Sequence, residues 1–339
     1  MSSLIANISI EKFMQIGDEI RSVSNGIIPR SSDSSIHDFV KREDIDCKLL
    51  ALENEDEQGR LLCYIERGQG FIGWYECSED LDTHNDLMDA AFEWFEEKGC
   101  DSIIGPVNGT TWGNYRFNLE CEYPLFPGEP YQPLYYVDFW EQSGFEADIY
   151  YKTEVPPKDI IQPSTLDQVQ AKLGQYGISV EHFPRVLGEQ LENQLYTFYD
   201  ECFQENPLYS LIDKKTYVEL SRKAESVLET EHSFLLKDAK GLPIAVFVSF
   251  IDVYHQAKIP LQEHERKKLI IKTIATHPNY QNKQIGTIMV NLIHNLAYKN
   301  GYEEVIHAMM YVGNVTSKVG SKKFNTKVLR TYALMKKEL

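Results

Sequence analysis

The stretch Ile274-Ala275-Thr276-His277-Pro278-Asn279-Tyr280-Gln281-Asn282-Lys283-Gln284-Ile285-Gly286-Thr287 reads as the end of an apolar strand, a short polar turn and the opening of a helix. A helix start leaves its first backbone N–H groups without intrahelical acceptors, and the positive end of the helix dipole points the same way. Such a corner suits a phosphate group. Outward from it, Leu269–Thr276 is the largely apolar strand, Gly286–Lys299 the helix closed by Asn300-Gly301, and Glu304–Met310 the next strand.

The rest of the second half fits around this unit. Ile178–Phe183 reads as a strand, Leu187–Phe203 and Lys214–Ala224 as helices, and His232–Lys237 with Pro243–Tyr254 as a hairpin turning at Asp238-Ala239-Lys240-Gly241. A short helix near Val315–Lys322 and a strand near Leu329–Lys336 end the chain. The order βααβββαβαβ predicts an α/β layer with helices on both faces. Val155–Ser164 holds three prolines in ten residues and reads as a linker. The expected division is therefore 1–155, a linker at 156–165, and 166–339. In the first half, Cys47–Glu53 and Arg60–Arg67 form a hairpin about Asn54–Gly59. Phe71–Tyr75 and Ser102–Ile104 are further strands, while His84–Lys98 and Leu134–Ser143 carry helical spacing.

Sliding the chain against itself by 202 residues lays Leu87–Lys98 on Met289–Asn300, Gly99 on Gly301, and Ile103-Ile104 on Val305-Ile306. Two copies of one strand–turn–helix–strand unit are expected. At this offset the phosphate turn of the first copy is Glu79-Asp80-Leu81-Asp82-Thr83-His84-Asn85, with Glu76 just ahead. Each acid in such a loop costs an approaching anion on the order of a kcal/mol. The first copy is thus expected not to hold a pyrophosphate in the usual way. Gly105–Asn114 is a polar, glycine-rich loop, either a substrate wall or an ordered connection.

Net charge is −17 and uneven: residues 1–155 carry 11 Lys+Arg against 31 Asp+Glu, or −20, and residues 156–339 carry 23 against 20. Like charge opposes approach of nucleic acid to the first half. No run of about 18 apolar residues suggests a membrane span, and no signal peptide is visible at Met1–Ile10. The six cysteines show no C-x-x-C spacing, which predicts reduced thiols and a cytoplasmic protein. The nine histidines form no H-x-x-x-H pair, so no metal site is expected.

The C-terminal half resembles motif A of the GNAT superfamily of N-acetyltransferases, a strand followed by [Gln/Arg]-x-x-Gly-x-[Gly/Ala] and a helix. Gln281 matches its first position and Gly286 its last, with Gln284 where the first Gly is usual. The resemblance covers roughly residues 178–339, and Tyr131–Phe145 looks like a motif B segment of a degenerate first copy. It implies two tandem GNAT-like domains, each a mixed, mostly antiparallel sheet flanked by helices. It also implies acetyl-CoA, or another acyl-CoA, as cofactor. Its contacts would be Ile274, Ala275 and Thr276 on the strand and Gln281, Asn282, Lys283, Gln284, Ile285, Gly286 and Thr287 at the turn, with Asn314 beyond the second strand. Gln284 is accommodated if its φ is negative. Lys272–Thr276 should splay from Glu304–Met310, leaving a notch where the pantetheine arm pairs like an added strand.

The acyl acceptor implied is a small-molecule or peptide amine, with neither nucleic acid nor membrane as partner. Oligomeric state is not legible. A base must take the amine proton, and Glu205 and Asp252 are the candidates, each also readable as an ordinary acid. The family's tyrosine six residues after the Asn is Gly320 here, so Tyr311, Tyr332 or water fills that role, or none does. Two alternatives stand beside the enzyme: a catalytically idle acyl-CoA-binding or interaction protein, and an aminoacyl-transfer enzyme of the peptidoglycan-bridging kind, whose charged tRNA a −20 half repels.

Overall fold

Continuous apolar runs, Leu49–Leu52 in Asp46–Glu53 and Leu61–Ile65 in Gln58–Glu66, mark strands covered on both faces, and these segments pair as an antiparallel hairpin from Asp46↔Ile65 to Glu53↔Gln58. They belong to a computed structural model that describes all residues except 1–2, 5–7, 24–34, 54–56, 121–124, 254–266 and 282. The expected hairpin turn falls partly on the residues left out, as do Tyr254, Asn282 and Cys121.

Grouped by contacts, the chain forms two compact units, Met1–Cys121 with Pro130–Tyr150 and Tyr332–Leu339, and Glu122–Glu129 with Tyr151–Thr331. They are not the contiguous stretches 1–155 and 166–339. The reason is strand pairing: the last strand of the chain hydrogen-bonds in the first unit, and a segment from the first half of the sequence does so in the second.

In the first unit, β1 (Ser3–Leu4), β2 (Asp46–Glu53), β3 (Gln58–Glu66) and β4 (Gln69–Cys77) form an antiparallel run. β5 (Ser102–Gly105) joins β4 in parallel at Gly70↔Ile103 and Phe71↔Ile104. Of the strands β6 (Phe117–Asn118), β7 (Glu146–Val155) and β13 (Lys327–Glu338), the last pairs with β5 from Met335↔Gly105 to Glu338↔Ser102. Two helices cover opposite faces, since Arg60 of β3 touches α1 (Ile10–Val23) while its neighbour Leu61 lies in the core under α3 (Leu81–Glu97). That core joins Leu87, Met88, Ala91 and Phe95 of α3 to Tyr136 and Trp140 of α4 (Tyr135–Gln142). A short α2 (Ile36–Phe39) buries Ile36 and Phe39.

The second unit has the strand order β7-β12-β11-β10-β9-β8. Its strands are β8 (Ser179–His182), β9 (Phe234–Lys237), β10 (Pro243–Ile251), β11 (Lys268–Thr276), β12 (Glu304–Tyr311) and the Tyr151–Val155 portion of β7. Among the described residues of this unit, only β11 and β12 pair in parallel, joined by α8 (Ile285–Lys299), whose Ile285, Met289, Leu292, Ile293 and Ala297 meet Leu269, Ile271 and Val305 in the core. α5 (Leu166–Gly174) adds Val169 and Leu173 to that core. α6 (Glu189–Phe203) packs on β10 and β11, α7 (Lys214–Ala224) packs on α6, and α9 (Val315–Phe324) follows β12. The proline-rich stretch is no free linker: Gln162 N–H donates to Asn291 Oδ1 at 2.9 Å and its C=O accepts from Asn295 at 2.8 Å. The mixed sheet flanked by helices is the α/β layering expected.

Candidate functional site

β11 and β12 part company in the second unit. Their parallel ladder runs from Lys268↔Glu304 to Ile271↔His307, whereas β10 follows β11 on to Thr276. The extra residue at the register shift opposite Val248/Ser249 is Lys272, so a β-bulge sits where the ladder ends. Beyond it, His277 N–H donates to Ile244 C=O at 2.9 Å. Backbone groups alternate sides along a strand, so Ala275 turns its N–H and C=O to β10, and Ile274 and Thr276 turn theirs to the side that β12 has left. Among the described residues, no hydrogen bond reaches Ile274 C=O or Thr276 N–H from that side.

The turn follows at once. Pro278–Tyr280 is a single 3-10 turn, Lys283 holds its ammonium 4.6 Å over the Tyr280 ring, and Gln281, Lys283 and Gln284 are exposed. Asn282 lies outside the described residues. Gln284 precedes α8 with φ 58° and ψ 15° and gives no side-chain cap to the helix. The condition of a negative φ is not met: the chain must reverse tightly between β11 and α8, and Gln284 takes the left-handed conformation there even without glycine. The first amides of α8 (Ile285, Gly286, Thr287) therefore lack the Ncap side-chain acceptor that Thr165 gives α5 and Asp213 gives α7. A Cβ placed on Gly286 meets nothing described within 4 Å, so bare backbone borders open space. Uncapped amides, a glycine with clear space and an adjacent unbonded strand edge fit a pyrophosphate carrying an amide-bearing arm.

The base candidates are not brought together. Glu205 is exposed, one turn past Glu201, whose carboxylate accepts from His277 Nε2 at 3.0 Å. That tautomer follows because His277 Nδ1 accepts from Asn279 N–H at 3.2 Å. Asp252 is 4 % exposed and follows Ile251, which pairs with Leu269 at the far end of β11 from His277, roughly 25 Å along the strand. Asn314 is exposed and caps α9, its Oδ1 accepting from Ser317 N–H at 3.3 Å. Tyr311 is half-buried against Tyr151 at a ring separation of 5.7 Å. Tyr332 counts with the first unit, fully buried, and Gly320 of α9 has clear space about it.

One polar group at this corner was not anticipated from the sequence. His307, on the last rung of the ladder, meets His294 of α8 with their Nε2 atoms 2.9 Å apart. Burial pushes His307 down to about 4, against a smaller raising effect of Glu154. His294 is also held well below the usual value, by burial and then by His307. Glu154 is buried on β7, with Ser321 and Thr326 hydroxyls at 2.6 and 2.8 Å and Lys152 beside it. Burial pushes its carboxyl up, but Lys152, Ser321 and Thr326 together hold it below the usual range. The strand that supplies it has a readable signal: Ala147, Ile149, Tyr151 and Thr153 alternate with Glu146, Asp148, Tyr150 and Lys152.

In the first unit the acidic turn is closed on itself. Asp80 is the Ncap of α3, its carboxylate accepting from Thr83 N–H at 2.8 Å. The loop Gly105–Asn114 is an ordered connection, with Val107 N–H bonded to Ile72 C=O and Asn108 N–H to Asn114 C=O, both at 2.9 Å. Among the described residues no group of three or more His, Cys, Asp or Glu could hold a metal, and no helix is long and apolar enough to cross a membrane.

No protein-family model matches this sequence, and no curated protein does. Solved structures do. The chain is similar to the GCN5-related glucosamine N-acetyltransferase region of a fungal multi-domain GH3 β-N-acetylglucosaminidase, at 14% identity and TM-score 0.53, covering 99% of this chain and 38% of that one. It is similar to a tandem GNAT protein from the clavulanic acid biosynthesis pathway, at 10% identity and TM-score 0.50, covering 100% and 98%. A conserved protein of unknown function from Enterococcus faecalis V583, described as a probable N-acyltransferase, matches at 7% identity and TM-score 0.55, covering 100% and 73%. At such identities the likeness is one of fold. The chain has a tandem GNAT-like architecture.

Proposed function

We propose that this protein is an acyl-CoA-dependent N-acyltransferase that acylates a small-molecule or peptide amine, with acetyl-CoA as the donor and its site in the second unit. The observation that carries the reading is the corner itself, where β11 and β12 diverge beside a helix whose first amides are left uncapped. The α8 amides from Ile285 to Thr287 would hold the pyrophosphate, with Lys283 as a nearby cation, and the Ile274 and Thr276 backbone would hold the arm. Ala275 supports that edge from the β10 side. The cofactor supplies an activated acyl thioester when bound.

The chain's own work is then to orient the amine, take its proton and offer N–H groups to the developing oxyanion. Glu201 of α6, bonded to His277, and Glu205 just past that helix are the acids toward the turn, while Asp252 belongs to the other end of β11. The −20 charge of residues 1–155 favours a cationic acceptor by long-range attraction. The first unit, which holds most of the acidic stretch 1–155, is read as the degenerate copy, and the second unit, which holds most of 166–339, as the acyl-CoA domain. Activity is expected in the cytoplasm.

The test is calorimetry with acetyl-CoA. Gly286→Glu places a negative side chain in clear space at a helix start, so folding should be retained while affinity falls at least tenfold. Equal binding by both proteins sinks the assignment. A second reading, cofactor binding without turnover, is favoured by Gly320 carrying no phenol. Thiol release over a panel of amines separates the two: release supports the enzyme, and silence despite tight binding supports the idle binder.

A further inference from the structure

The first unit contains the same corner, finished by the chain's own groups. The β4–β5 ladder stops at Phe71↔Ile104. Ser78 N–H donates to Gln58 C=O at 2.9 Å, so by alternation Cys77 turns its N–H and C=O away from β3, to the side of β5. There the Tyr136 hydroxyl accepts from Cys77 N–H at 3.0 Å, and the Tyr135 hydroxyl donates to Cys77 C=O at 2.8 Å. The Tyr136 proton is directed to Glu76 at 3.0 Å, which leaves its lone pair for the amide. Burial pushes both phenols up, so both stay protonated.

Farther back along β4, Trp74 N–H donates to Asn108 Oδ1 at 2.7 Å, and Ile72 C=O accepts from Val107 N–H at 2.9 Å. Gly73 permits that approach, since a Cβ there would stand 2.1 Å from the Val107 carbonyl oxygen. At the helix start Asp80 occupies the Thr83 amide. β4 and β11 are both nine-residue strands, ending at Cys77 and Thr276. Every kind of group left to a ligand in the second unit, strand N–H, strand C=O and helix amide, has an internal partner in the first.

We propose that the first unit is a self-liganded copy of the site, closed by Val107, Asn108, Tyr135, Tyr136 and Asp80, so that the chain takes one equivalent of an acyl-CoA rather than two. A side-chain amide, a peptide N–H and two phenols hold the edge where an amide-bearing arm would pair. A carboxylate holds the helix start where a pyrophosphate would lie. The stoichiometry rests on the acyl-CoA reading of the second unit; the closure stands on the first unit's bonds alone.

The experiment is amide hydrogen exchange on the full chain with and without coenzyme A, read on peptides spanning 71–78 and 273–288, beside a calorimetric titration. Slow exchange over 71–78 in the free protein, unchanged by coenzyme A, is expected, with protection gained over 273–288 and saturation at one equivalent. Asn108→Ala combined with Tyr136→Phe should speed exchange over 71–78 at least tenfold. Where tryptophan emission shows that this variant has lost its fold, Asn108→Ala alone, which frees the Trp74 N–H, serves the same comparison. Fast exchange at 71–78 in the free protein, new protection there with coenzyme A, or a second equivalent bound overturns the proposal. Slow exchange at 71–78 in the free protein, unchanged by coenzyme A, with no response at 273–288 instead refutes the acyl-CoA reading and leaves the closure standing.

Discussion

At the scale of single residues, Gln284 concentrates the tension between sequence and geometry. Its positive φ is a conformation that costs a side-chain-bearing residue about 1–2 kcal/mol and glycine almost nothing. Gln284→Gly should therefore raise the stability of the second unit by roughly 0.5–1 kcal/mol, after the entropy that glycine adds to the unfolded chain. Chemical denaturation measures it, and a lower midpoint contradicts the strain. The buried histidines make a pH statement. His307 falls to about 4 when folded, from 6.5 when exposed, because burial disfavours its charged form. Between those values the unfolded chain binds more protons, so stability is full above about 6.5 and is lost as pH falls toward 4, by up to about 3 kcal/mol. Urea midpoints at pH 7.5 and 5 should show the loss, and His307→Gln should flatten it. The strand–turn–helix through Gln281–Thr287 was legible because a polar turn there separates an apolar strand from an apolar helix. That Asn314 caps α9 and that Asp252 lies far along β11 depended on where the chain returns, which no local spacing states.

At the scale of elements, periodicity did most of the work. Lys214–Ala224 has the bounds its spacing predicts, and Glu304–Tyr311 and Ile285–Lys299 differ from expectation by one residue. Leu81–Glu97 begins three residues before the expected His84, since Asp80 rather than a later residue provides the cap. The repeat is sharper in three dimensions. Gly99 and Gly301 both end a helix at positive φ, 73° and 81°, keeping the 202-residue offset. The preceding strands match instead at 199, because the second unit inserts a longer turn between strand and helix. α1, α5 and β7 lie outside the elements expected from the sequence. In α1 the helical positions Phe13 and Ile16 are fully buried, but Gly17 interrupts the pattern. Gly17 makes room for the Arg60 guanidinium, a neighbour 43 residues away that a Cβ there would approach to 2.0 Å.

At the scale of the whole molecule, the C-terminal strand is the decisive piece. Tyr332, Ala333, Leu334 and Met335 are all fully buried, and Met335 to Glu338 pair with β5. Deleting Tyr332–Leu339 removes three large buried side chains worth about 1.5–3 kcal/mol each, comparable with the 5–15 kcal/mol that holds a domain together. All four tryptophans (Trp74, Trp94, Trp112, Trp140) lie in the first unit. The truncated protein should show red-shifted, exposed tryptophan emission, and native emission would contradict the pairing.

The sequence by itself determined the local order: the repeated strand–turn–helix–strand, the acidic spelling of one turn and the neutral spelling of the other. Those follow from side-chain period, caps and charge, which act over a few residues. Only the tertiary structure decided that Tyr332–Leu339 completes the first unit, that Gln284 turns left-handed, and that one corner is filled by Asn108 and two tyrosines while the other keeps its edge. Hydrogen bonds between distant strands choose among partners that the sequence presents equally, and the choice is made by geometry in the folded chain.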